Sequence, residues 1–245
     1  MTVKQYLLDK ISEGTVHVAL LDPDKQDAEV AGEMALRMKE AGTDAVFIGG
    51  STGLTVENMT DTANAIREKS GLPVIYFPGT PEAITPAIDA ILFMSLMNSR
   101  DLNLVVRAQA YSAPIIKKLG IEAISMGYIV VEPGMKVGKV GQADLIERDR
   151  IDKAIGYAMA AEMLGMSLVY LEAGSGADRP VPPEMISAVK ASINVPLIVG
   201  GGIRTPEAAE AARKAGADII VTGTFIEQCD DTSKLKAVVS AAKGL

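Results

Sequence analysis

Short apolar runs alternate with longer amphipathic stretches along nearly the whole chain. The runs contain few polar residues, which is typical of parallel strands that are covered on both faces. They predict eight strands at residues 16–21, 45–48, 74–77, 90–94, 123–130, 168–171, 197–199 and 219–221. The amphipathic stretches predict helices at residues 28–40, 56–69, 102–118, 151–164, 183–192, 206–215 and 232–242.

Eight strands in alternation with helices predict a closed (β/α)8 TIM barrel or a doubly wound open sheet. The count of eight favours the barrel, and 245 residues fit one barrel domain over residues 1–245. Two smaller domains are also compatible with this length. Proline at the start of two predicted helices and glycine after four of them support the helix boundaries.

One connection in the alternation is irregular. Only eleven residues, 79–89, separate the third and fourth strands, and they include Pro81 and Pro86. A crossover helix hardly fits there, so the sequence predicts a modified barrel whose third helix is missing or vestigial. The gap in the outer ring would form either a groove for a long apolar ligand or a tight connection covered by a partner subunit.

Composition narrows the function classes. The chain is 48% hydrophobic but only 4% aromatic and has no Trp, so its core is aliphatic. A net charge of −7 argues against general binding of nucleic acid. The single cysteine, Cys229, allows no intramolecular disulfide and favours a cytoplasmic location. No signal peptide or membrane-spanning helix is expected, because long uninterrupted apolar runs are missing.

Three late strands end in glycine-rich loops. Glycines let backbone N–H groups approach an anion closely, and barrel enzymes often bind phosphate after strands seven and eight. Gly200, Gly201 and Gly202 follow the seventh strand, and Gly223 and Thr224 follow the eighth. The loops therefore predict a phosphate site, although tight strand-to-helix turns alone would use the same residues.

Carboxylates follow two of the predicted strands at the end where barrel enzymes collect their catalytic groups. Asp22 and Asp24 end the first strand and suit Mg²⁺, although Asp24 also suits a helix N-cap. Glu172, beside Tyr170, lies in the first glycine-rich loop and is a candidate for binding a hydroxyl or accepting its proton. His17, the only histidine, lies at the other end, where we expect a structural role.

These motifs together are similar to those of a known family. HVALLDPDK (17–25), GGSTG (49–53), VEPGMKVGKVGQAD (131–144), YLEAGSGA (170–177), VGGGIR (199–204) and VTGT (221–224) occur in this order. They resemble the geranylgeranylglyceryl phosphate synthases of archaeal ether-lipid synthesis and their bacterial heptaprenylglyceryl relatives. The likeness covers nearly the whole chain, and the combination of DPDK with YLEAGSG is its most specific part.

The resemblance implies a Mg²⁺-dependent prenyltransferase with Asp22 and Ser51 as the metal positions. It implies sn-glycerol 1-phosphate bound by Tyr170, Leu171, Glu172, Ala173, Gly174, Ser175, Gly176, Gly201, Gly202, Gly223 and Thr224. It further implies a polyprenyl diphosphate donor, a homodimer or hexamer, and a possible peripheral contact with the membrane. In some relatives a lysine stands two residues before the metal aspartate, whereas this chain has Leu20 there.

The resulting hypothesis is prenyl transfer to the 3-hydroxyl of the glycerol phosphate, with Glu172 and Tyr170 as catalytic residues. A phosphosugar isomerase on the same barrel is an alternative, but residues 130–132 offer no clear acid/base partner for Asp22. A glycerol-phosphate binder without catalysis is the other alternative. Formation of a prenylated product from sn-glycerol 1-phosphate and geranylgeranyl diphosphate with Mg²⁺ would separate the prenyltransferase from both.

Overall fold

The computed structural model describes residues 1–50, 53–229 and 231–245, and eight parallel strands in it close into one barrel. The strands run in chain order around the barrel, with the last paired to the first. They are β1 Val16–Leu21, β2 Ala45–Ile48, β3 Val74–Tyr76, β4 Ala90–Leu96, β5 Glu122–Val130, β6 Leu168–Glu172, β7 Leu197–Gly200 and β8 Ile219–Thr222. The predicted closed barrel is confirmed, and the open sheet is excluded.

Helices surround this barrel, and further helices lie before its first strand and directly after its last. They are α1 Val3–Glu13, α2 Ala28–Ala41, α3 Val56–Ser70, α4 Ala108–Leu119, α5 Met135–Val140, α6 Ile151–Met163, α7 Pro183–Lys190, α8 Pro206–Lys214, α9 Thr224–Gln228 and α10 Thr232–Lys243. Within the described residues, no helix combines the length and apolar character needed to cross a bilayer.

The connection between β3 and β4 lacks a crossover helix, as predicted. Only one 3₁₀ turn, Pro81–Ala83, forms there. The predicted helix at 102–118 begins instead with a π-helical segment, Asn103–Arg107, which continues into α4. Ser95 on β4 donates a hydrogen bond to the Val105 carbonyl at 2.8 Å. A side chain of the barrel wall therefore satisfies a backbone group of the π-helical segment.

Alternation along the strands divides the apolar core into an inner and an outer layer. Val16 and Val18 point into the barrel, whereas Ala19 and Leu21 pack under the helices. Both layers are mainly aliphatic and almost completely buried, because parallel strands in this fold have helices on one face and the filled barrel on the other.

Helix α1 closes the end of the barrel at which the strands begin. Leu7 is 2% exposed and packs with the residues inside the barrel. The carboxylate of Glu122 accepts hydrogen bonds from the backbone N–H groups of Val3 and Lys4, at 2.6 and 3.0 Å. These bonds satisfy two of the free donors at the start of the helix, so α1 is attached to β5 by both packing and polar contacts.

His17 has the structural role that its position predicts. Its ring lies between the barrel and the helices and contacts the hydroxyls of Thr43 and Thr222, each at 2.9 Å. Complete burial, together with the nearby charge of Lys243, lowers the pKa of His17 to about 3. The imidazole is therefore neutral in the folded protein throughout the neutral and mildly acidic range.

The buried His17 predicts a specific loss of stability in mild acid. Its pKa is below the ordinary 6.5, so the unfolded chain binds the proton first and stability falls as the pH drops from about 6.5 toward 3. The slope is about 1.4 kcal/mol per pH unit, which amounts to roughly 2 kcal/mol at pH 5. Urea unfolding at pH 7 and pH 5 measures this difference, and His17→Gln, which has no proton to gain, should remove that component. An equal slope in the variant would contradict the assignment.

Candidate active site

A cavity of about 370 Å³ opens at the end of the barrel where the strands finish. The loops after β6, β7 and β8 form most of its wall. Its lining residues are Leu20, Tyr170, Glu172, Ser175, Gly176, Gly201, Gly202, Ile203, Arg204, Val221, Thr222, Gly223, Thr224 and Phe225. The three glycine-rich loops therefore converge on one space, as a shared anion site requires.

Most of the residues expected to hold the glycerol phosphate line this cavity. They are Tyr170, Glu172, Ser175, Gly176, Gly201, Gly202, Gly223 and Thr224. The Ser175 and Thr224 hydroxyl oxygens lie 2.7 Å apart, which joins the loops after β6 and β8 directly. Leu171 and Ala173, in contrast, pack in the outer core, and Gly174 acts on Glu172 through its backbone.

Glu172 is the buried acid of the site. It is 7% exposed, and its Oε1 accepts a hydrogen bond from the Gly174 N–H at 2.6 Å. Burial raises its pKa, while the Gly174 N–H and the hydroxyls of Tyr170 and Tyr128 act in the opposite direction. A carboxylate whose pKa is moved upward toward neutrality is a more effective general base than an ordinary surface glutamate.

Tyr170 is a hydrogen-bond donor and not a base. Burial, reinforced by the negative charge of Glu172, raises its pKa well above the ordinary value, so the phenol keeps its proton. Tyr128 on the adjacent strand has the same property for the same reasons. Its ring centroid lies 5.0 Å from that of Tyr170, with Phe77 at 5.4 Å from Tyr128. Packing of the three rings fixes both hydroxyls beside the carboxylate.

Gly201 allows the loop after β7 to pass directly over Glu172. Its φ is +83°, and a Cβ at this position would lie 2.3 Å from Glu172 Oε1 and 2.6 Å from the Gly174 nitrogen. Both distances are far below van der Waals contact. Only glycine lets the backbone lie against the carboxylate in this conformation.

Asp22 lies at the same mouth, on the loop after β1. Burial raises its pKa, and the ammonium of Lys25 and the Asp24 N–H moderate the effect. A Cβ on Gly50 would lie 2.3 Å from Asp22 Oδ1, so the carboxylate is in close contact with the loop after β2. The Asp24 N–H donates to Oδ1 at 3.1 Å, which means that Asp24 supports Asp22 through its backbone. Ser51, the second expected metal position, lies outside the described residues.

An ion pair joins the loop after β1 to α9, the short helix that begins at Thr224. The Lys25 Nζ lies 2.6 Å from Glu227 Oε2 and 3.9 Å from Asp22 Oδ2. Glu227 is only 13% exposed at its side chain, whereas Lys25 is 51% exposed. The ammonium therefore lies between two carboxylates, on the side of the barrel where the strands end.

Two of the lining residues that were not predicted from the sequence as site residues are Leu20 and Arg204. Leu20 lies against Gly223, where a Cβ would be 3.5 Å from the Leu20 Cβ. Arg204 lines the cavity and donates from Nη2 to the carbonyls of Gly176 and Ala177. It is the basic side chain in this lining. Its place in the VGGGIR motif was the one feature of the sequence that pointed to it as a site residue.

A second, more apolar cavity of about 560 Å³ lies in the barrel wall beside the missing helix. Residues of the short β3–β4 connection, β4, the π-helical segment and α4 line it. They include Pro78, Gly79, Pro81, Ile84, Ile91, Phe93, Leu96, Leu104, Ala108 and Ile116. The gap in the outer ring therefore forms an apolar groove on the surface of the barrel wall.

The fold and the two cavities define a phosphate-binding β/α barrel with an apolar groove in its wall. Residues 9–242 match the model of the PcrB family, and the chain belongs to this family. It is 53% identical to a geranylgeranylglyceryl phosphate synthase of Thermococcus kodakarensis, over 96% of this chain and 93% of the relative. The corresponding enzyme of Picrophilus torridus is 48% identical, over 93% and 94%.

Solved structures agree with this placement. The crystal structure of (S)-3-O-geranylgeranylglyceryl phosphate synthase from Thermoplasma acidophilum, in complex with its substrate sn-glycerol-1-phosphate, superposes with a TM-score of 0.97. That chain is 44% identical, and the match covers 100% of both chains. The resemblance inferred from the sequence motifs is thereby confirmed at the level of family and fold.

Proposed function

We propose that this protein transfers a geranylgeranyl group from its diphosphate to the 3-hydroxyl of sn-glycerol 1-phosphate, as a step of ether-lipid synthesis. The observation that carries the proposal is the convergence of three glycine-rich loops on one cavity whose wall contains the buried Glu172. Membership of the PcrB family and the bound sn-glycerol-1-phosphate of the Thermoplasma relative support the choice of substrate.

The acceptor is anchored by its phosphate. Backbone N–H groups at Gly201, Gly202 and Gly223 and the hydroxyls of Ser175 and Thr224 supply donors to an anion in the cavity. Arg204 adds a positive charge at its edge. With the phosphate fixed there, the glycerol hydroxyls are held near Glu172, so the reaction requires no further diffusive encounter of the acceptor.

Glu172 then accepts the proton of the 3-hydroxyl. The bond between the allylic carbon and the diphosphate oxygen breaks, the new ether bond forms from the glycerol oxygen, and diphosphate leaves with the bonding electron pair. Tyr170 and Tyr128 stay protonated because burial raises the pKa of both. Their hydroxyls orient the carboxylate, and the surrounding aromatic rings exclude water from the reacting carbon.

The prenyl tail occupies the groove beside the missing helix. Its lining is mostly apolar, with Thr80, Gln109 and Ser112 as the polar side chains. Burial of apolar surface there stabilises a hydrocarbon chain by roughly 25 cal/mol per Å². The groove wall includes Pro78 and Gly79 of the β3–β4 connection. They follow Phe77, the ring that packs against Tyr128 and Tyr170. A tail in the groove therefore leads to the reacting end near Glu172.

Asp22 fits a Mg²⁺ ion. Its carboxylate is partly buried and its pKa is raised by that burial, so a cation would stabilise the charged form. Within residues 1–50, 53–229 and 231–245 no group of three or more acidic, histidine or cysteine ligands occurs, and Mg²⁺ commonly uses one or two carboxylates with phosphates and water. When bound, the ion supplies charge neutralisation to the diphosphate. Ser51 is proposed as the second ligand.

Incubation with sn-glycerol 1-phosphate, geranylgeranyl diphosphate and Mg²⁺ tests the function. The expected result is release of one diphosphate for each ether-linked product, with a lower rate for the enantiomeric sn-glycerol 3-phosphate. Binding of the glycerol phosphate without product would favour the non-catalytic binder, and isomerisation of a phosphosugar would favour the isomerase. A folded protein that gives no product contradicts the proposal.

Substitution of Asp22 tests the metal site separately. Asp22→Asn removes the charge that would hold the ion, so we expect kcat/KM to fall about 10²–10³-fold. Binding of Mn²⁺, followed by electron paramagnetic resonance, should weaken in parallel. Asp27→Asn is the matched control, because Asp27 precedes α2 and its side chain makes no capping hydrogen bond. Unchanged Mn²⁺ binding in Asp22→Asn would contradict this site.

Three further expectations stay predictions. The family resemblance favours a homodimer or hexamer, and exposed apolar side chains such as Val106, Tyr111, Met163 and Leu164 are compatible with subunit contacts. A peripheral membrane contact would follow from the lipid nature of donor and product. A cytoplasmic location rests on the single cysteine.

A further inference from the structure

We propose that Lys25 binds the diphosphate of the prenyl donor and that Glu227 is the positioning residue that holds its ammonium at the mouth of the barrel. This inference rests on the proposed prenyl transfer. It concerns an ion pair between residues 202 positions apart in the sequence. Lys25 lies on the loop after β1 and Glu227 lies on α9 after β8, and the pairing of β8 with β1 brings them together.

The geometry places the Lys25 ammonium between Asp22, the proposed metal ligand, and α9, the helix that follows the last phosphate loop. Lys25 Nζ lies 3.9 Å from Asp22 Oδ2, on the metal side, and 2.6 Å from Glu227 Oε2, on the helix that starts at the phosphate loop. An ammonium has three N–H donors. One donor is used by Glu227, and within the described part of the chain the other two form no hydrogen bond.

The flexibility of the Lys25 side chain explains why the carboxylate of Glu227 is needed to position its ammonium. The four-carbon stem of lysine makes the ammonium mobile, and Lys25 is half exposed, so an unpaired ammonium would turn into solvent or toward Asp22. Glu227 is 13% exposed and belongs to α9, which packs on the barrel. Its carboxylate fixes the ammonium at the rim and keeps it from closing fully on Asp22.

The charges in the cavity leave the diphosphate in need of such a cation. Leu20, near the end of β1, lines the cavity wall but contributes no charge. Arg204 donates hydrogen bonds to the carbonyls of Gly176 and Ala177, on the side of the cavity proposed for the glycerol phosphate. Asp22, Glu172 and Glu227 are all anionic groups around the mouth. A positive side chain above Asp22 therefore stabilises a departing diphosphate through a charge-assisted contact.

The test measures binding of inorganic diphosphate at a fixed Mg²⁺ concentration by calorimetry, together with KM for each substrate. Lys25→Met should raise the Kd for diphosphate and the KM for geranylgeranyl diphosphate roughly tenfold, without changing the KM for sn-glycerol 1-phosphate. Lys25→Arg should restore most of the affinity. Lys214→Met is the matched control, because Lys214 makes a 2.9 Å ion pair with Glu210 on α8.

A double-mutant cycle tests the role of Glu227. Glu227→Gln should weaken diphosphate binding about threefold in the natural background and leave it unchanged when Lys25 is already methionine. Tighter binding in both backgrounds would mean that Glu227 only repels the diphosphate, and this would overturn its positioning role.

Equal losses for both substrates, or lower thermal stability with no selective loss for diphosphate, would mean that the ion pair is only a brace between loops. The same assay distinguishes this failure from a failure of the proposed function. Lys25-dependent binding of diphosphate without any ether product would keep the contact between Lys25 and diphosphate but reject the prenyl transfer. No binding of diphosphate by the natural protein would overturn the inference itself.

Discussion

Glu172→Gln lowers kcat about 10²–10⁴-fold if Glu172 is the general base, because the amide has the shape of the carboxylate but accepts no proton. In the natural protein the activity should also fall on the acidic side of neutrality, where Glu172 becomes protonated at its raised pKa. Steady-state rates of both proteins over a range of pH values measure these two effects.

Thermal unfolding shows whether a loss of activity reflects chemistry or folding. The raised pKa means that burial of the charged form costs stability at neutral pH, so Glu172→Gln should be at least as stable as the natural protein at pH 7. Glu122→Gln is the matched control, since Glu122 caps α1 at the opposite end of the barrel. It should lose stability and keep its kcat. Full activity in Glu172→Gln would exclude the role as base.

The second large effect is expected for Gly201→Ala. The new methyl group would lie 2.3 Å from Glu172 Oε1 in a backbone with φ +83°, so the loop or the carboxylate has to move. A displacement of this kind costs at least about 10²-fold in kcat, and it should also raise the KM for sn-glycerol 1-phosphate. Steady-state kinetics and the melting temperature measure the two consequences.

Gly165→Ala separates steric contact from backbone strain. Gly165 has nearly the same φ, +82°, but a Cβ there has no atom within 4 Å. Its substitution should therefore cost about 1 kcal/mol of stability through strain alone and leave kinetics unchanged. If both variants lose only stability, the close approach of Gly201 to Glu172 has no catalytic importance.

The fold was largely predictable because each buried strand leaves a dense apolar run in the sequence. Strands β1 and β2 have the predicted bounds, and each of the other six differs by one or two residues at one end. Helix α1 was missed, although Val3, Leu7 and Ile11 recur at helical spacing and Thr2 caps its first turn. Its role in closing the barrel is a tertiary fact that local patterns do not contain.

The site was predictable where its residues form motifs and unpredictable where it depends on distant contacts. The glycine-rich loops, Glu172 and Asp22 could be found because loops after parallel strands meet at one end of a barrel. Tyr128 is embedded in an apolar run and becomes visible only through its position beside Tyr170. The pair of Lys25 with Glu227 likewise requires closure of β8 onto β1.

Separation of the α1 end from the substrate loops makes the protein a favourable subject for engineering. Contacts of Leu7 and Glu122 contribute to folding at a distance from the reacting groups. Stabilising substitutions can be selected there without the usual exchange of activity for thermostability. The residues around the active-site cavity can then be varied toward other alcohols or longer isoprenoids. Stability gained at the opposite end would compensate for destabilising substitutions near the site.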